Sequence, residues 1–249
     1  MNPRSLVFRF QATPFVILFV ERAGSTFLIT ALKSHPQILA LTEKLDAMKK
    51  EGRTAAEQIA WCRSFLTPPL VGSHRAIGFK TKLLDVLDPD GFAALLRERR
   101  CKIIQLQRRN AVKAVVSTLN ARRQYKVSGN WNLLNESTRL PAFEVDPGEF
   151  EALLAQREEW DSQLEAYAAK LRLPTLRLWY EDLLADEGAF ADKAVTFLTG
   201  RSQRLQGGTL KNTGDDLKTA ILNFDELRRK YAGTRYETMF DERTPSFQA

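Results

Sequence analysis

Apolar residues along the chain fall into short unbroken runs, separated by longer stretches in which they recur at helical spacing. Residues 15–20 read FVILFV, with no polar alternation. Such a run predicts a strand buried on both faces, as in a parallel sheet. Residues 76–81, 102–107 and 175–179 are three further short, apolar-rich segments and predict strands of the same kind. Helical spacing occupies residues 27–33, 54–66, 89–100, 111–123, 147–171, 186–198 and 215–232. The first of these stops before His35 and Pro36, where a helix is expected to end. Strands alternating with helices predict an α/β fold, a parallel β-sheet flanked by helices on both faces. Residues 125–146 carry Gly, Asn, Ser and Pro without a clear period, and predict a long functional loop.

At 249 residues the chain is long enough for one α/β domain with a full core. No linker-like stretch divides it, so residues 1–249 are expected to form one domain. A hydrophobic content of 44% argues against wholesale disorder. The run at 15–20 is far too short to span a bilayer. Residues 1–10 hold Arg4 and Arg9 but no apolar core with a cleavage site, so no signal peptide is expected. Cys62 and Cys101 lie far apart and have no CxxC partner, which suits packed or free thiols of a cytoplasmic protein. Two histidines and two cysteines leave little material for a transition-metal site. The net charge of +7 favours anionic partners, although a solvated basic surface would give the same balance.

Candidate chemistry begins where the first strand ends. Glu21 to Thr26 read ERAGST and lead into a helix. In open α/β sheets that edge is where ligands bind. Gly24 lets the backbone approach an anion, and the amides of Gly24, Ser25 and Thr26 would leave a helix N-terminus that attracts negative charge. Ser25 and Thr26 add hydroxyl donors, and Arg22 adds a cation able to fold over the anion. The segment lacks the earlier Gly and the Lys of a GxxxxGK[ST] loop. By itself it equally describes an ordinary turn with a Ser cap. A second cluster follows the strand at 102–107. Arg109 would leave the same sheet edge, and Ser117 lies about two turns along the next helix. An Arg fork converging with a hydroxyl can hold a phosphate. A basic helix start with a solvent-facing Ser is the plainer account.

Taken together, these segments resemble the sulfotransferases. The family's 5′-phosphosulfate loop is similar to Arg22-Ala23-Gly24-Ser25-Thr26, followed by an apolar helix and the His35-Pro36 pair. Its 3′-phosphate motif, R-N-x(6)-S, is matched by Arg109, Asn110 and Ser117. WYEDLL at 179–184 and FLTG at 197–200 resemble a late strand end and the helix after it. Lys211, Asn212 and Thr213, with NFDEL at 223–227, resemble the C-terminal segment of bacterial carbohydrate sulfotransferases, including the Nod-factor type. The matches run in family order from residue 14 to about residue 240.

The resemblance implies a P-loop NTPase-like sulfotransferase fold and 3′-phosphoadenosine 5′-phosphosulfate as donor, with 3′-phosphoadenosine 5′-phosphate as product and no metal. It implies that Arg22, Ala23, Gly24, Ser25 and Thr26 hold the 5′ end. Arg109 and Ser117 would hold the 3′-phosphate, closed over by Lys211, Asn212 and Thr213. Arg22 would stabilise charge on the leaving phosphate, since a guanidinium cannot act as an acid near neutral pH. Glu43 is the candidate base for the acceptor hydroxyl, with His35 as rival, and both have plainer structural readings. Thr42 stands where the family often has Gly. Lys80, in GFK, resembles a strand-end Lys that faces the transferred group. Trp131 is the better candidate than Trp61 for stacking on a ligand. Glu181 and Asp182 are expected to cap or brace the following helix.

The implied partner is a carbohydrate, glycolipid or other small hydroxyl compound, with no integral membrane segment and no nucleic acid. Three alternatives stay open at this level. A P-loop kinase or NTPase would need the missing Lys. A nucleic-acid binder would use Arg97, Arg99, Arg100, Arg108, Arg109, Arg122 and Arg123, which straddle strand and helix ends rather than lining one face. A donor-binding homologue without turnover is the third.

Overall fold

The computed structural model describes residues 12–67, 73–131, 133, 136–205 and 216–241. Five strands, β1 Thr13–Phe19, β2 Ile38–Leu41, β3 Ala76–Thr81, β4 Lys102–Gln107 and β5 Thr175–Trp179, form one sheet in the order β2-β3-β1-β4-β5. Every pairing is parallel. The helices in chain order are α1 Ser25–Ser34, α2 Lys44–Lys50, α3 Ala55–Phe65, α4 Pro89–Glu98, α5 Ala111–Ser128, α6 Pro147–Leu171, α7 Tyr180–Ala185, α8 Glu187–Thr199, α9 Leu217–Ala220, α10 Phe224–Lys230 and α11 Glu237–Asp241.

The unbroken apolar run becomes the central strand because both of its faces are covered. Phe15, Ile17 and Phe19 pack against α1 and α8, through Phe27, Leu28 and Phe190 among others. Val16, Leu18 and Val20 point the other way, onto Leu45 of α2, Cys62 of α3, Phe92 of α4 and Leu164 of α6. Alternate side chains of a strand leave on opposite faces, so each layer takes every second residue. A third cluster joins α5 and the start of α6 to α9, α10 and α11. It buries most of α5.

Four of the five strands coincide with the predicted segments; β2, α2, α7 and α11 had no counterpart in the periodicity. The helix predicted at 111–123 continues to Ser128, where Gly129 ends it at φ 71°. The helix predicted at 215–232 is broken between Ala220 and Phe224, because Ile221 bridges Phe143 and the Leu222 amide donates to the Phe143 carbonyl. Among the described residues no helix is long and apolar enough to cross a membrane.

Chain direction explains why one sheet edge matters. From β1 the chain moves out to β2, returns to β3, then crosses β1 to reach β4. The C-terminal ends of β1 and β4 therefore flank the point where the winding reverses, the usual ligand crevice of such sheets. Gly78 keeps β3 close to β1 within the sheet, nearer the start of both strands. It is paired with Phe15, and a Cβ at Gly78 would lie 2.1 Å from the Phe15 carbonyl oxygen and 2.5 Å from its ring. Gly78→Ala is expected to cost about 1–3 kcal/mol, as overpacking of a tight core does, read as a lowered urea midpoint. An unchanged midpoint would show that the sheet can part there.

Candidate active site at the β1 and β4 strand ends

Three strand ends bring the predicted residues together. After β1 the chain turns through Arg22 at φ 61° and Gly24 at φ 81° into α1. Left-handed backbone costs a non-glycine residue about 1–2 kcal/mol. Among the described residues the other non-glycine residues with positive φ, Arg100 and Arg172, sit just past helix ends. Arg22 instead carries its strain at a ligand edge, held by three contacts. Arg157 Nη1 donates to the Glu21 carbonyl at 2.8 Å, Arg108 Nη1 donates to the Arg22 carbonyl at 3.5 Å, and Arg22 Nε donates to Ser117 Oγ at 2.9 Å. Thr118 Oγ1 donates to Glu21 Oε1 at 3.2 Å beside them.

Gly24 is the N-cap of α1 and supplies no capping side chain, so the first amides of the helix keep no side-chain acceptor. A Cβ at Gly24 would lie 2.8 Å from Leu183 and 3.0 Å from Tyr180. Conformation favours glycine there, and a side chain would also have to displace the tip of Leu183.

Lys80 reaches the loop from β3. Its Nζ donates to Ser25 Oγ at 3.2 Å and Thr26 Oγ1 at 3.3 Å, and pairs with Glu43 Oε1 at 3.0 Å. Lys80 is buried, and that burial holds its pKa below the ordinary lysine value, against the pull of Glu43. Lys82 lies 3.6 Å from Glu43 Oε2. Burial pulls Lys82 down as well, but Asp85, Glu43, Asp46 and Glu21 outweigh it and leave its pKa raised. Glu43, Lys80, Ser25 and Thr26 thus form one connected cluster.

The second predicted cradle is arranged less simply. Ser117 faces Arg22, at the neighbouring strand end. The Arg109 side chain is 51% exposed, pairs with Asp182 at 3.3 Å and stacks on Trp179 at 4.7 Å. The Glu181 carboxylate accepts from the Arg109 and Asn110 amides at 3.1 Å. It braces the start of α5 and takes up those amides. Asp182 also lies 3.6 Å from Lys193, on α8. Lys211, Asn212 and Thr213 lie outside the described residues. His35 ends α1, roughly 15 Å from the loop at 1.5 Å per residue. It is buried, which lowers its pKa, and its Nδ1 accepts from the Gln37 amide. Trp61 stacks on Phe65 and meets Phe79 edge-on, in the core; Trp131 stacks on Tyr125 at 4.5 Å.

The sequence assigned Arg108 only to the nucleic-acid alternative and did not single out Arg157, yet both reach the turn. Burial lowers the Arg108 pKa, Tyr180 and Glu181 raise it, and Arg157 and Arg22 lower it further. Its ring contact is with Tyr180 at 4.4 Å, and its Nε is buried without a hydrogen-bond partner among the described residues. Three guanidiniums close enough to repel one another form a ready site for an anion. The signal for Arg157 was present. Residues 150, 154, 157, 164 and 171 make the buried stripe of α6, and an Arg on such a stripe needs a partner. Asp161, one turn on, pairs with it at 2.5 Å.

No family model matches the chain. Nodulation protein H of Rhizobium tropici is 25% identical over 238 residues, covering 92% of this chain and 93% of that protein. The crystal structure of a sulfotransferase from Alicyclobacillus acidocaldarius covers 92% of this chain and 96% of its own, at 17% identity and a TM-score of 0.50. The likeness to that structure is one of fold. The fold is accordingly the P-loop-like α/β arrangement of a sulfotransferase, with the Arg22–Thr26 turn where such a sheet binds its ligand. Among the described residues no group of three or more His, Cys, Asp or Glu is placed to hold a metal ion.

The loop brings the start of α1 and the Lys80 ammonium together, an arrangement able to take an anion, and inorganic sulfate tests it. Gly24→Ala is expected to lower sulfate affinity at least tenfold, about 1.4 kcal/mol, by calorimetry. A lowered lysine pKa means that the ammonium is lost at lower pH than usual. Sulfate binding should therefore weaken on the alkaline side before an ordinary lysine would titrate, and Lys80→Arg should move that limb upward. A limb that stays in place in Lys80→Arg would remove Lys80 from the site.

Proposed function

We propose that this chain transfers the sulfuryl group of 3′-phosphoadenosine 5′-phosphosulfate to a hydroxyl of a carbohydrate or other small acceptor. The observation that carries the reading is the 2.9 Å hydrogen bond from Arg22 to Ser117. It joins the loop after β1 to the helix after β4, so one nucleotide with two anionic ends can meet both.

The Gly24, Ser25 and Thr26 amides and hydroxyls receive the 5′-phosphosulfate. Ser117 and Arg109 receive the 3′-phosphate through their side chains, because Glu181 already occupies the α5 amides. Arg109 is held to Asp182 by an exposed pair of the kind worth about 0–1 kcal/mol, so a phosphate displaces little in recruiting it. Lys211, Asn212 and Thr213 are assigned to the same end on sequence alone.

Sulfuryl transfer, like phosphoryl transfer, is an in-line displacement in which the protein supplies position and charge. The acceptor oxygen forms a bond to sulfur while the bond from sulfur to the bridging oxygen breaks. The departing phosphate keeps the electron pair. Arg22 stands where that charge grows. Lys80, bonded to Ser25 and Thr26, faces the transferred group, and Glu43 takes the acceptor proton. His35, at the far end of α1, is too remote for that step.

Calorimetry is expected to show 3′-phosphoadenosine 5′-phosphate binding at least about tenfold tighter than 5′-AMP, a gap of 1.4 kcal/mol. Arg109→Ala should close that gap while leaving 5′-AMP affinity unchanged. Equal affinities in the unaltered protein would overturn the two-ended donor. In a labelled-sulfate transfer screen over sugars, lipids and phenols, Arg22→Ala should lower kcat about 10²–10³-fold, the usual loss for a removed oxyanion donor.

A further inference from the structure

The turn after β3 carries a carboxylate that the proposed reaction does not use. Asp85 is buried, and its Oδ2 accepts no hydrogen bond among the described residues. It faces Lys82, whose Nζ lies 3.6 Å away. The same Nζ lies 3.6 Å from Glu43 Oε2, so Lys82 stands equally between two carboxylates. Glu43 has the Lys80 ammonium at 3.0 Å on its other oxygen. A second buried side chain fixes this arrangement. Gln58 of α3 donates from Nε2 to the Leu45 carbonyl at 3.1 Å and to the Asp85 carbonyl at 3.0 Å. Its Oε1 accepts from the Leu87 amide at 3.0 Å. Leu45 lies two residues past Glu43, the N-cap of α2. One side-chain amide therefore sets the spacing between the segment that carries Glu43 and the segment that carries Lys82 and Asp85.

We infer that Asp85 is a positioning residue for the candidate base, which holds Lys82 back from Glu43 across a distance fixed by Gln58. The inference rests on the transfer activity proposed above, with Glu43 as the group that takes the acceptor proton. A carboxylate clasped by two ammoniums is a poor proton acceptor, because each ammonium favours its charged form. Lys80 already sits at hydrogen-bond distance from Glu43. Asp85 competes for the second ammonium and so leaves Glu43 with one close cation rather than two. Among the described residues the charges that reach Asp85 are Lys82, Asp46, Glu43 and Lys49. Those that reach Lys82 are Asp85, Glu43, Asp46 and Glu21. Burial raises the Asp85 pKa, Asp46 and Glu43 raise it further, and Lys82 and Lys49 oppose them. The folded chain thus binds that proton more tightly than the unfolded chain does. Destabilisation builds as pH rises from the ordinary aspartate range through the raised value, and is fully present above it. A carboxylate kept ionised at the expense of the fold is what a functional role predicts and a structural role does not.

The test compares the full chain with Asp85→Asn and with the double variant Asp85→Asn, Lys82→Met. Asparagine keeps the size of the side chain and the backbone carbonyl that Gln58 holds. Lys82 keeps Glu43 as a partner, so the urea midpoint of Asp85→Asn at neutral pH should equal or exceed that of the unaltered chain. The Lys82 Nζ is followed by ¹⁵N NMR through an alkaline titration and assigned with Lys82→Arg. Asp85→Asn should lower its midpoint by about one pH unit, the effect of losing a nearby opposite charge. With an acceptor from the labelled-sulfate screen, Asp85→Asn should lower kcat about three- to tenfold and leave KM in place, since only proton transfer is weakened. The acidic limb of kcat should move to lower pH. Removing the freed ammonium in the double variant should recover most of the lost kcat, as coupled residues do. An unmoved Lys82 midpoint, or a double variant as slow as Asp85→Asn, overturns the assignment. A lowered urea midpoint, or failure of Asp85→Asn to fold, makes Asp85 structural and overturns it equally. Absence of sulfate transfer in the unaltered chain would instead sink the transfer reading. The ¹⁵N titration, which needs neither donor nor acceptor, still decides whether Asp85 holds Lys82.

Discussion

β1 has a paired strand on each edge and a packed layer on each face, so the chain leaving it has one way out, over the sheet end. Everything chemical in this protein depends on that exit. The turn must reverse direction within a few residues, clear Leu183 and Tyr180, and start a helix that covers the sheet. Gly24 meets the steric demand. Arg22 does not, and its left-handed backbone is held by Arg157, Arg108 and Ser117 from two other helices and a strand end. Strain of this kind persists only where surroundings over-determine it.

The same restraints concentrate positive charge. Arg22, Arg108 and Arg157 gather around one turn, with Lys80 and Lys82 on the β3 side. Glu21, Glu43, Asp161 and Glu181 offset that charge locally. Burial lowers the pKa of Arg22, Arg108 and Lys80, and so disfavours their charged forms. A dianion bound there would relieve the repulsion among them. Stability of the empty site and affinity for an anion therefore oppose one another, a common arrangement at functional sites.

Much of this was legible in the chain. The strands at 76–81, 102–107 and 175–179 and the ERAGST turn could be read because their determinants are local: β-prone runs, a glycine and a helix start. β2 could not, since four residues with no distinctive flanks become a strand only by pairing with β3. The buried stripe of α6 marked Arg157 as a residue needing a partner, but not that this partner would be the Glu21 carbonyl, far away in sequence. Glu181 was expected to brace the helix that follows it, and instead braces α5.

The amino-acid order by itself determined that the sheet would be parallel and that a glycine turn would follow its first strand, because periodicity and glycine placement are properties of neighbours. It left Ser117 assigned to Arg109. Tertiary structure decided that Ser117 meets Arg22, that Glu43 meets Lys80, and that Arg109 leans on Trp179 and Asp182. Those choices follow from how far adjacent strands and their helices are offset. That offset is set by packing across the whole sheet, and no local stretch of sequence encodes it.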